Sequence, residues 1–366
     1  MQKTLRVRIK DKHASYLREL SREVNFVFNY VNELGFKILK RTGKFASAYD
    51  LHEYTAGATK EGLSLHSQTI QAITEEYVTR RKQFKKAKLS WRKSGGAHRS
   101  LGWVPFKACA IAFKNGQLRY GKVWLSLWDS YGLSQYDLGA GSFSEDSRGR
   151  WYANIVVKVK APKAPVHAAQ DIISGALPSV GLDLGLKDMA VDSSGNRIEA
   201  KRFYRSLEDK LAVAQRANNK KRVSAIHAKI KNRRNDFLHK QSRILVNANA
   251  AIFVGNVNAS ALAKTNLAKS VLDAGWSTFR TMLCYKSAHA GAWFEEVNEA
   301  YSTQTCSVCK SRTGPKGQEC LGIREWVCKE CGHSHHRDVN AARNILAVGH
   351  GRLAEGIPDQ ERIFRP

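Results

Sequence analysis

The sequence is short of acidic residues relative to basic ones. It has 32 aspartates and glutamates against 60 lysines and arginines, which gives a formal net charge of +28 over 366 residues. Solubility alone does not require such an imbalance, so the composition predicts a polyanionic partner such as a nucleic acid. A disordered chain is excluded, because 43% of the residues are hydrophobic and the length allows two or three cores.

Long apolar runs are also missing. No stretch of 18 or more apolar residues occurs, and Met1–Thr4 leads into a strand-like segment without the apolar region of a signal peptide. We therefore expect no membrane partner and a soluble, intracellular protein.

Cysteine is scarce, but four of the seven cysteines form a metal-binding pattern. Cys306 and Cys309, and then Cys328 and Cys331, make two CxxC pairs separated by eighteen residues. This spacing is typical of a structural zinc site, in which each pair supplies two thiolates. A pair of disulfides is the alternative, although nothing else in the chain indicates an oxidising compartment. Cys320 lies between the pairs as a possible competing ligand without a CxxC partner.

The amino-terminal part predicts strands around a helical region. Lys3–Ile9 alternates apolar and basic residues, which is typical of a half-buried strand. Apolar residues from Leu17 to Leu34 recur at helical spacing, and Ser67–Ser90 predicts more helix. Between Leu101 and Lys160, short runs rich in Trp, Val, Ile and Tyr alternate with glycines, which predicts a small barrel completed by the first strand. Ala161–Pro165 predicts a stiff linker.

After the linker the pattern becomes α/β. Strands are predicted at Ser179–Leu184, Met189–Val191, Ala251–Val254 and Ala292–Val297. Helices are predicted from Tyr204 to Ala248, at Trp276–Ala288, and from Asp338 to Gly349, with a loop reaching Thr265 after the third strand. This order predicts an RNase H-like α/β domain with a zinc ribbon inserted before the last helix.

Two aspartates are candidate metal ligands because of their positions in the predicted strands and helices. Asp183 lies in the buried strand segment Val180–Gly185, where desolvation favours pairing or metal binding. Pairing with one of the many arginines is the alternative. Asp338 lies near the start of the last helix, where an aspartate is equally typical of an N-cap.

Taken together, several segments resemble the TnpB family, the transposon-encoded RNA-guided nucleases related to type V CRISPR effectors. The segments that carry the resemblance are Gly181–Gly185, Tyr301–Cys309, Trp326–Gly332, Asp338–Asn344 and the basic stretch Lys229–Arg234. The resemblance implies a wedge-like barrel formed by residues 1–10 and 101–165, and a helical recognition domain at 11–100. It further implies a RuvC-like nuclease domain at 166–305 and 333–366, with the zinc ribbon at 306–332.

The family places three carboxylates around two magnesium ions, and Asp183 and Asp338 match the first and third. Gly255 stands where the family has its glutamate, so the second carboxylate is missing. The neighbouring predicted strand contains Glu295 and Glu296, and only one of these can face the site because strand residues alternate. We predict Glu296, with Glu295 facing outwards and Glu299 as a weaker candidate in the following loop.

The leading hypothesis is an RNA-guided DNA endonuclease that uses Asp183, Glu296 and Asp338 to hold two Mg²⁺ ions, with one structural Zn²⁺. The implied partners are a guide RNA from the transposon end and double-stranded DNA carrying a short flanking motif, and the implied location is the nucleoid of a prokaryotic cytoplasm. A monomer is favoured. One alternative is a cleavage-deficient, RNA-guided repressor or transposon regulator, and another is a basic zinc-ribbon RNA-binding protein. Basic side chains predicted to contact nucleic acid, where a solvated face is the alternative, are Arg80, Arg81, Arg222, Lys229, Arg233 and Arg234.

Overall fold

The computed structural model describes residues 2–160, 165–258, 268–316 and 319–355. The chain divides into two compact units, Met1–Lys160 and Ala161–Pro366. Among the described residues, no helix combines the length and apolar character that a membrane crossing requires. The predicted linker lies largely outside the described residues, as does most of the loop expected to reach Thr265.

The first unit contains a seven-stranded antiparallel sheet. Its strands run in the spatial order β2-β6-β7-β1-β5-β4-β3, so the amino-terminal strand lies at the centre, between β7 and β5. β2 and β3 form the two edges, which makes the described sheet an open half-barrel. The strand bounds are β1 Gln2–Ile9, β2 Trp103–Phe106, β3 Ile111–Lys114, β4 Gln117–Tyr120, β5 Val123–Trp128, β6 Leu138–Glu145 and β7 Trp151–Lys158.

Three helices follow the first strand: α1 Ala14–Thr42, α2 Ala48–Glu53 and α3 Ser67–Gln83. They share a core with the inner face of the sheet, which includes Leu5, Val24, Ile73 and Phe143. The expectation that the third helix reaches Ser90 is wrong. It ends at Gln83, because Lys85 adopts a left-handed φ of 50° that cannot continue an α-helix.

The second unit contains a five-stranded mixed sheet with the order β10-β9-β8-β11-β12. β8, β11 and β12 run parallel, whereas β9 and β10 are antiparallel to their neighbours. The bounds are β8 Ser179–Leu184, β9 Asp188–Asp192, β10 Arg197–Glu199, β11 Ala251–Gly255 and β12 Trp293–Val297. The predicted strands are therefore present, with a short extra strand, β10.

Helices cover both faces of this sheet. Their bounds are α4 Ala169–Ile173, α5 Glu208–Arg216, α6 Lys220–Ala248, α7 Ala268–Ala274, α8 Trp276–Ala290 and α9 Arg337–Glu355. Even-numbered residues of β11, such as Ile252, pack towards α8, and odd-numbered ones, such as Phe253, pack towards α9. The prediction that the last helix ends by Gly349 is wrong. α9 continues because Gly349 lacks a Cβ, which would lie 2.2 Å from the Phe253 ring.

Between the sheet and α9, residues 306–336 form a cysteine-rich segment. It contains a two-stranded hairpin, β13 Glu325–Val327 and β14 Ser334–His336. Trp326 and His335 stack at 4.7 Å between ring centroids, on opposite strands of the hairpin. β14 leads directly into α9, so this segment is joined to the helix that carries Asp338.

Candidate carboxylate and zinc centres

Asp183 lies near the carboxyl end of the central strand β8. Leu182 pairs with Val254, and Val254 pairs with Glu296, so Asp183, Gly255 and Val297 follow at one level across three strands. Gly181 precedes Asp183 by two residues and packs against the α9 backbone at Ala342. Because strand residues two apart share a face, the Asp183 side chain lies on the α9 side of the sheet.

Glu299 occupies the space above Gly255. A Cβ on Gly255 would lie 2.2 Å from Oε2 of Glu299 and 3.1 Å from its Cβ. The loop after β12 holds this position, because the amide of Glu299 donates to the Asn256 side chain at 3.3 Å and its carbonyl accepts from the Ser302 amide at 3.0 Å. Glu299 therefore places a carboxylate in the space that a side chain at position 255 would occupy.

Asp338 is the second residue of α9 and lies next to an arginine of the cysteine-rich segment. Nη1 of Arg324 is 2.8 Å from both carboxylate oxygens of Asp338. The side chain of Asp338 is 15% exposed and that of Arg324 is 34% exposed. Arg324 thus supplies one positive charge to a carboxylate at the edge of the cluster.

The charges of Asp338 and Glu299 both act on the buried carboxyl group of Asp183. Burial, followed by the charges of Asp338 and Glu299, raises the pKa of Asp183 to about 8, while Arg337 and Arg324 act in the opposite direction. Burial also raises the pKa of Glu299. Three oxygen-donor side chains that repel one another need additional positive charge, and oxygen ligands of this kind suit Mg²⁺. The three side chains therefore offer the oxygen donors that a divalent cation binds, although among the described residues the group whose ligand atoms all lie within 4.8 Å of one another is that of the four cysteines.

Glu296 does not join this cluster, which corrects the sequence-based choice of strand face. Its side chain accepts a hydrogen bond from Arg280 of α8 at 2.8 Å, on the face of the sheet opposite Asp183. Glu295, expected to face outwards, instead lies on the α9 side, where Arg352 binds its Oε1. It is buried, and its other oxygen, Oε2, has no hydrogen-bond partner.

The alternation of side chains along β12 could have identified Glu299 from the sequence. Positions 295, 297 and 299 continue one face of β12, and Val297 is level with Asp183 across the sheet. The sequence signal was present, but applying it required the inter-strand register, which one sequence does not supply.

The four cysteines converge on a possible metal centre. The ligand atoms of Cys306, Cys309, Cys328 and Cys331 all lie within 4.8 Å of one another. The Sγ atoms of Cys306 and Cys331 are 3.7 Å apart, and those of Cys309 and Cys328 are 3.6 Å apart. A tetrahedron with Zn–S bonds of 2.3 Å has edges of about 3.8 Å, so the donor set fits Zn²⁺.

Hydroxyl groups surround these sulfurs and would stabilise thiolates. Ser311 Oγ lies 3.0 Å from Sγ of Cys309, and Thr313 Oγ1 lies 3.2 Å from Sγ of Cys328. The buried ring of His335 is 3.1 Å from Sγ of Cys306. Cys320 is not among the four clustered cysteines, and its carbonyl accepts from Arg337 at 3.0 Å.

The predicted basic contacts separate into exposed and structural side chains. Arg222, Lys229 and Arg233 lie on exposed positions of α6. Arg80 binds Glu76 at 2.6 Å.

Arg81 and Arg234 are used within the fold. Arg81 is 4% exposed, donates to the Ala46 carbonyl and stacks 4.1 Å from the Phe45 ring centroid. Arg234 donates to the Leu272 carbonyl at 2.8 Å. The structure therefore does not support a primary nucleic-acid contact for these two arginines.

Comparisons with known proteins give the family. A model described as "Probable transposase" matches residues 176–266, and one described as "Cas12f1-like, TNB domain" matches residues 276–345. A relative from Streptomyces pristinaespiralis, named "Putative RNA-guided DNA endonuclease", is 32% identical over 73% of this chain and 68% of its own length. The chain belongs to the TnpB family.

A second relative agrees with this membership, and two solved structures share the fold. An Escherichia coli protein named "Putative RNA-guided DNA endonuclease InsQ" is 32% identical over 57% of this chain, which spans 56% of that relative. The structure titled "Cryo-EM structure of the Cas12f1-sgRNA-target DNA complex" aligns with a TM-score of 0.60 at 13% identity, covering 94% of this chain and 98% of that one. A mini RNA-guided endonuclease, Cas_phi3, aligns with a TM-score of 0.50. These two likenesses concern the fold.

Proposed function

We propose that this TnpB-family protein is an RNA-guided DNA endonuclease whose cleavage site consists of Asp183, Glu299 and Asp338. The observation that carries the proposal is the position of Glu299 above Gly255. It returns a third carboxylate to the cluster from a loop position, so the absence of a glutamate at 255 does not remove the site. The five-stranded unit would then act as a RuvC-like domain.

The chain's own residues supply the binding and orientation. Asp183 is fixed on the central strand, Asp338 on the first turn of α9, and Glu299 by the Asn256 side chain and the Ser302 amide. Two Mg²⁺ ions held by these carboxylates would activate a water and stabilise the leaving oxygen of a phosphodiester. Arg324, beside Asp338, is placed to offset the negative charge of the cluster and of an incoming phosphate.

The proposed partners follow from charge and family membership. A net charge of +28 favours polyanions, and two relatives carry the name "Putative RNA-guided DNA endonuclease". We infer that a guide RNA selects a double-stranded DNA target beside a short flanking motif. The half-barrel and its three helices would act as the wedge and recognition domains, and the cysteine-rich segment as a structural zinc ribbon.

Cleavage-deficient binding is the second candidate, and a specific observation favours it. Gly255 removes a carboxylate from the strand itself, and a loop residue such as Glu299 is held less rigidly than a strand residue. In that case the protein would bind a matched duplex and leave it intact.

The test compares two glutamates that lie close together in the chain. The protein is purified with its guide RNA and mixed with a matched duplex in magnesium. Glu299→Gln should lower the cleavage rate by about a hundredfold or more, because one metal-binding charge is lost. Glu296→Gln is the control and should retain cleavage, since its carboxylate binds Arg280 on the other face of the sheet.

Each outcome decides between the candidates. Cleavage that survives Glu299→Gln and disappears in Glu296→Gln would overturn the assignment of the third carboxylate. A parent protein that binds the duplex without cutting it would establish the second candidate. A protein that retains no RNA would leave only a zinc-ribbon nucleic-acid-binding protein.

A further inference from the structure

A pocket separate from the carboxylate cluster lies in the second unit. Its walls come from the turn between β8 and β9, the segment after β10, and the helices α6 and α7. The cavity has a volume of about 370 Å³, within the range of about 300–1,000 Å³ that is typical of small-molecule sites. The pocket begins at Leu186, shortly after Asp183 in the chain, but none of the three carboxylates lines it. It is therefore available for a ligand of its own.

Part of the pocket wall is apolar. Met189, Phe203 and Phe237 line the pocket. Met189 is buried, whereas both phenylalanines are half-buried. The centroids of the two phenylalanine rings lie 5.6 Å apart, with an angle of 59° between the ring planes. Half-buried rings that line a cavity leave flat apolar surface uncovered, and the face of a nucleobase is suited to cover such a surface.

Cations dominate the polar part of the lining. The exposed basic side chains that line the pocket are Lys187, Lys201, Arg202, Arg205 and Lys269. Lys201 pairs with Glu199 at 2.7 Å. Lys269 pairs with Glu208 at 2.8 Å. Among the residues that the structure describes, no carboxylate forms an ion pair with the other three cations. The pocket therefore keeps an excess of positive charge that attracts an anion.

A buried aspartate holds the turn that carries two of these arginines. Both carboxylate oxygens of Asp273 accept from the Tyr204 amide, at 3.0 and 2.9 Å, and Arg234 lies 3.7 Å from the same carboxylate. The charge of Asp273 is thus used within the fold. Arg202 adopts a left-handed φ of 45°, a strained conformation that persists only where the surrounding structure imposes it. Arg202 and Arg205, on either side of Tyr204, are therefore fixed in place before a ligand binds.

We propose that this pocket binds one unpaired nucleotide, with its base against Phe203 and Phe237 and its phosphate on Arg202 and Arg205. Guanidinium groups match the geometry of a phosphate, and the apolar wall requires a flat ring that an inorganic anion does not have. A free mononucleotide and an unpaired nucleotide of a bound strand share this chemistry, and the test below distinguishes them. The proposal does not depend on cleavage by the carboxylate cluster.

The experiment measures binding of fluorescently labelled ADP to the full-length protein by anisotropy, without guide RNA, target DNA or magnesium. R202Q/R205Q should weaken binding at least about tenfold, because two charged partners of the phosphate are lost. Ser270→Leu narrows the pocket from α7 without changing its charge. It should also weaken binding, but it should leave the salt dependence of the remaining affinity unchanged.

Arg216→Gln is the matched control for loss of surface charge. Arg216 is an exposed arginine at the end of α5 and does not line the pocket, so its loss should leave the affinity unchanged. An equal loss of affinity in Arg216→Gln would overturn the proposal, because the effect would then belong to the overall charge. Full affinity in both R202Q/R205Q and Ser270→Leu would overturn it as well. The melting temperature of R202Q/R205Q should remain close to that of the parent, since both side chains are exposed.

Unlabelled competitors identify the source of the nucleotide. Displacement of the probe by a short single-stranded DNA as well as by ADP would assign the pocket to an unpaired nucleotide of a bound strand, and displacement by ADP alone would assign it to a free mononucleotide. Displacement by inorganic phosphate at the same concentration as ADP would overturn the contact with the base. A parent protein that does not bind labelled ADP would overturn the proposal and leave the carboxylate assignment unaffected.

Discussion

At the scale of single residues, the carboxylate site depends on an exchange between positions 255 and 299. The strand position has lost its side chain, and the loop position fills the space with Glu299, whose Oε2 would lie 2.2 Å from a Cβ at 255. The two positions therefore cannot both carry a glutamate without displacing one of them. Under the proposed function, the loop carboxylate of Glu299 takes the role that the family gives to a glutamate on the strand.

Moving the glutamate back to the strand tests this exchange. Glu299→Ala should abolish cleavage of a guided duplex, and adding Gly255→Glu should restore it at least about tenfold, because the charge returns to the same space. The isosteric control Gly255→Gln in the Glu299→Ala background fills the space without a charge and should stay inactive. Equal rescue by glutamine would show that packing, not metal binding, is the role of Glu299.

The protonation of Asp183 gives a second prediction at this scale. Its pKa is raised from 3.8 to about 8 in the metal-free fold, so between these pH values the folded state binds a proton that the unfolded chain has released. The free energy of unfolding should therefore fall as the pH rises through this interval, by up to about 1.4 kcal/mol per pH unit from this group.

Asp183→Asn should remove that dependence and stabilise the protein at pH 8 while it abolishes cleavage. The measurement is the urea midpoint at pH 5 and pH 8 in magnesium-free buffer. Asp236→Asn is the control, because the Asp236 side chain is 64% exposed and its loss should leave the pH dependence unchanged. A variant that is no more stable than the parent at pH 8 would contradict the burial of an uncompensated carboxylate.

At the scale of elements, the spacing of hydrophobic residues predicts which segments form strands and helices. The residues at which these elements end depend instead on tertiary contacts. α9 continues through Gly349 because the Phe253 ring occupies the space of a Cβ, and a glycine read alone indicates a helix end. α3 stops at Gln83 although the basic residues after it continue a helical composition. Such boundaries are set by packing partners that lie far away in the sequence.

The choice between Glu295, Glu296 and Glu299 failed for a related reason. Successive side chains of a strand point to opposite faces of the sheet, so Glu295 and Glu296 cannot share a face. Only the pairing of β8, β11 and β12 shows which of these faces carries Asp183. The cysteine spacing, by contrast, was sufficient by itself to predict the cluster of four. Short-range chemical patterns were readable from sequence, and geometry between strands was not.

The cysteine-rich segment contacts the carboxylate site through Arg324, so the stability of the segment affects the site. Arg324 precedes β13 directly, β14 leads into α9, and Arg324 binds Asp338 on the first turn of that helix. Cys306 and Cys328 of the sulfur cluster pack with Trp326, and the Trp326 ring stacks on His335 of the opposite hairpin strand. A metal at the cysteines would therefore hold Arg324 in place although it lies outside the carboxylate cluster.

At the scale of the whole molecule, composition predicted a polyanionic partner but not which cations contact it. The excess of basic residues is a property of the entire chain, and some of those residues hold the fold together. Arg81 and Arg234 bind backbone carbonyls, while Arg233 is exposed on α6. Only burial and hydrogen-bond partners distinguish the two roles, and neither can be read from charge content.

The adjacent pair Arg233 and Arg234 allows a direct test on the assembled protein. Arg233→Gln should weaken guide RNA binding and reduce the slope of log affinity against log salt by about one, because one phosphate contact is lost, and should leave the melting temperature unchanged. Arg234→Gln should instead lower the melting temperature, since the Leu272 carbonyl loses its donor and Asp273 its partner at 3.7 Å. Its salt slope should match that of the parent. Filter binding between about 50 and 200 mM salt measures the salt slope, and thermal unfolding measures the melting temperature. If Arg234→Gln changed the salt slope and Arg233→Gln lowered the melting temperature, the roles assigned to the two arginines would be wrong.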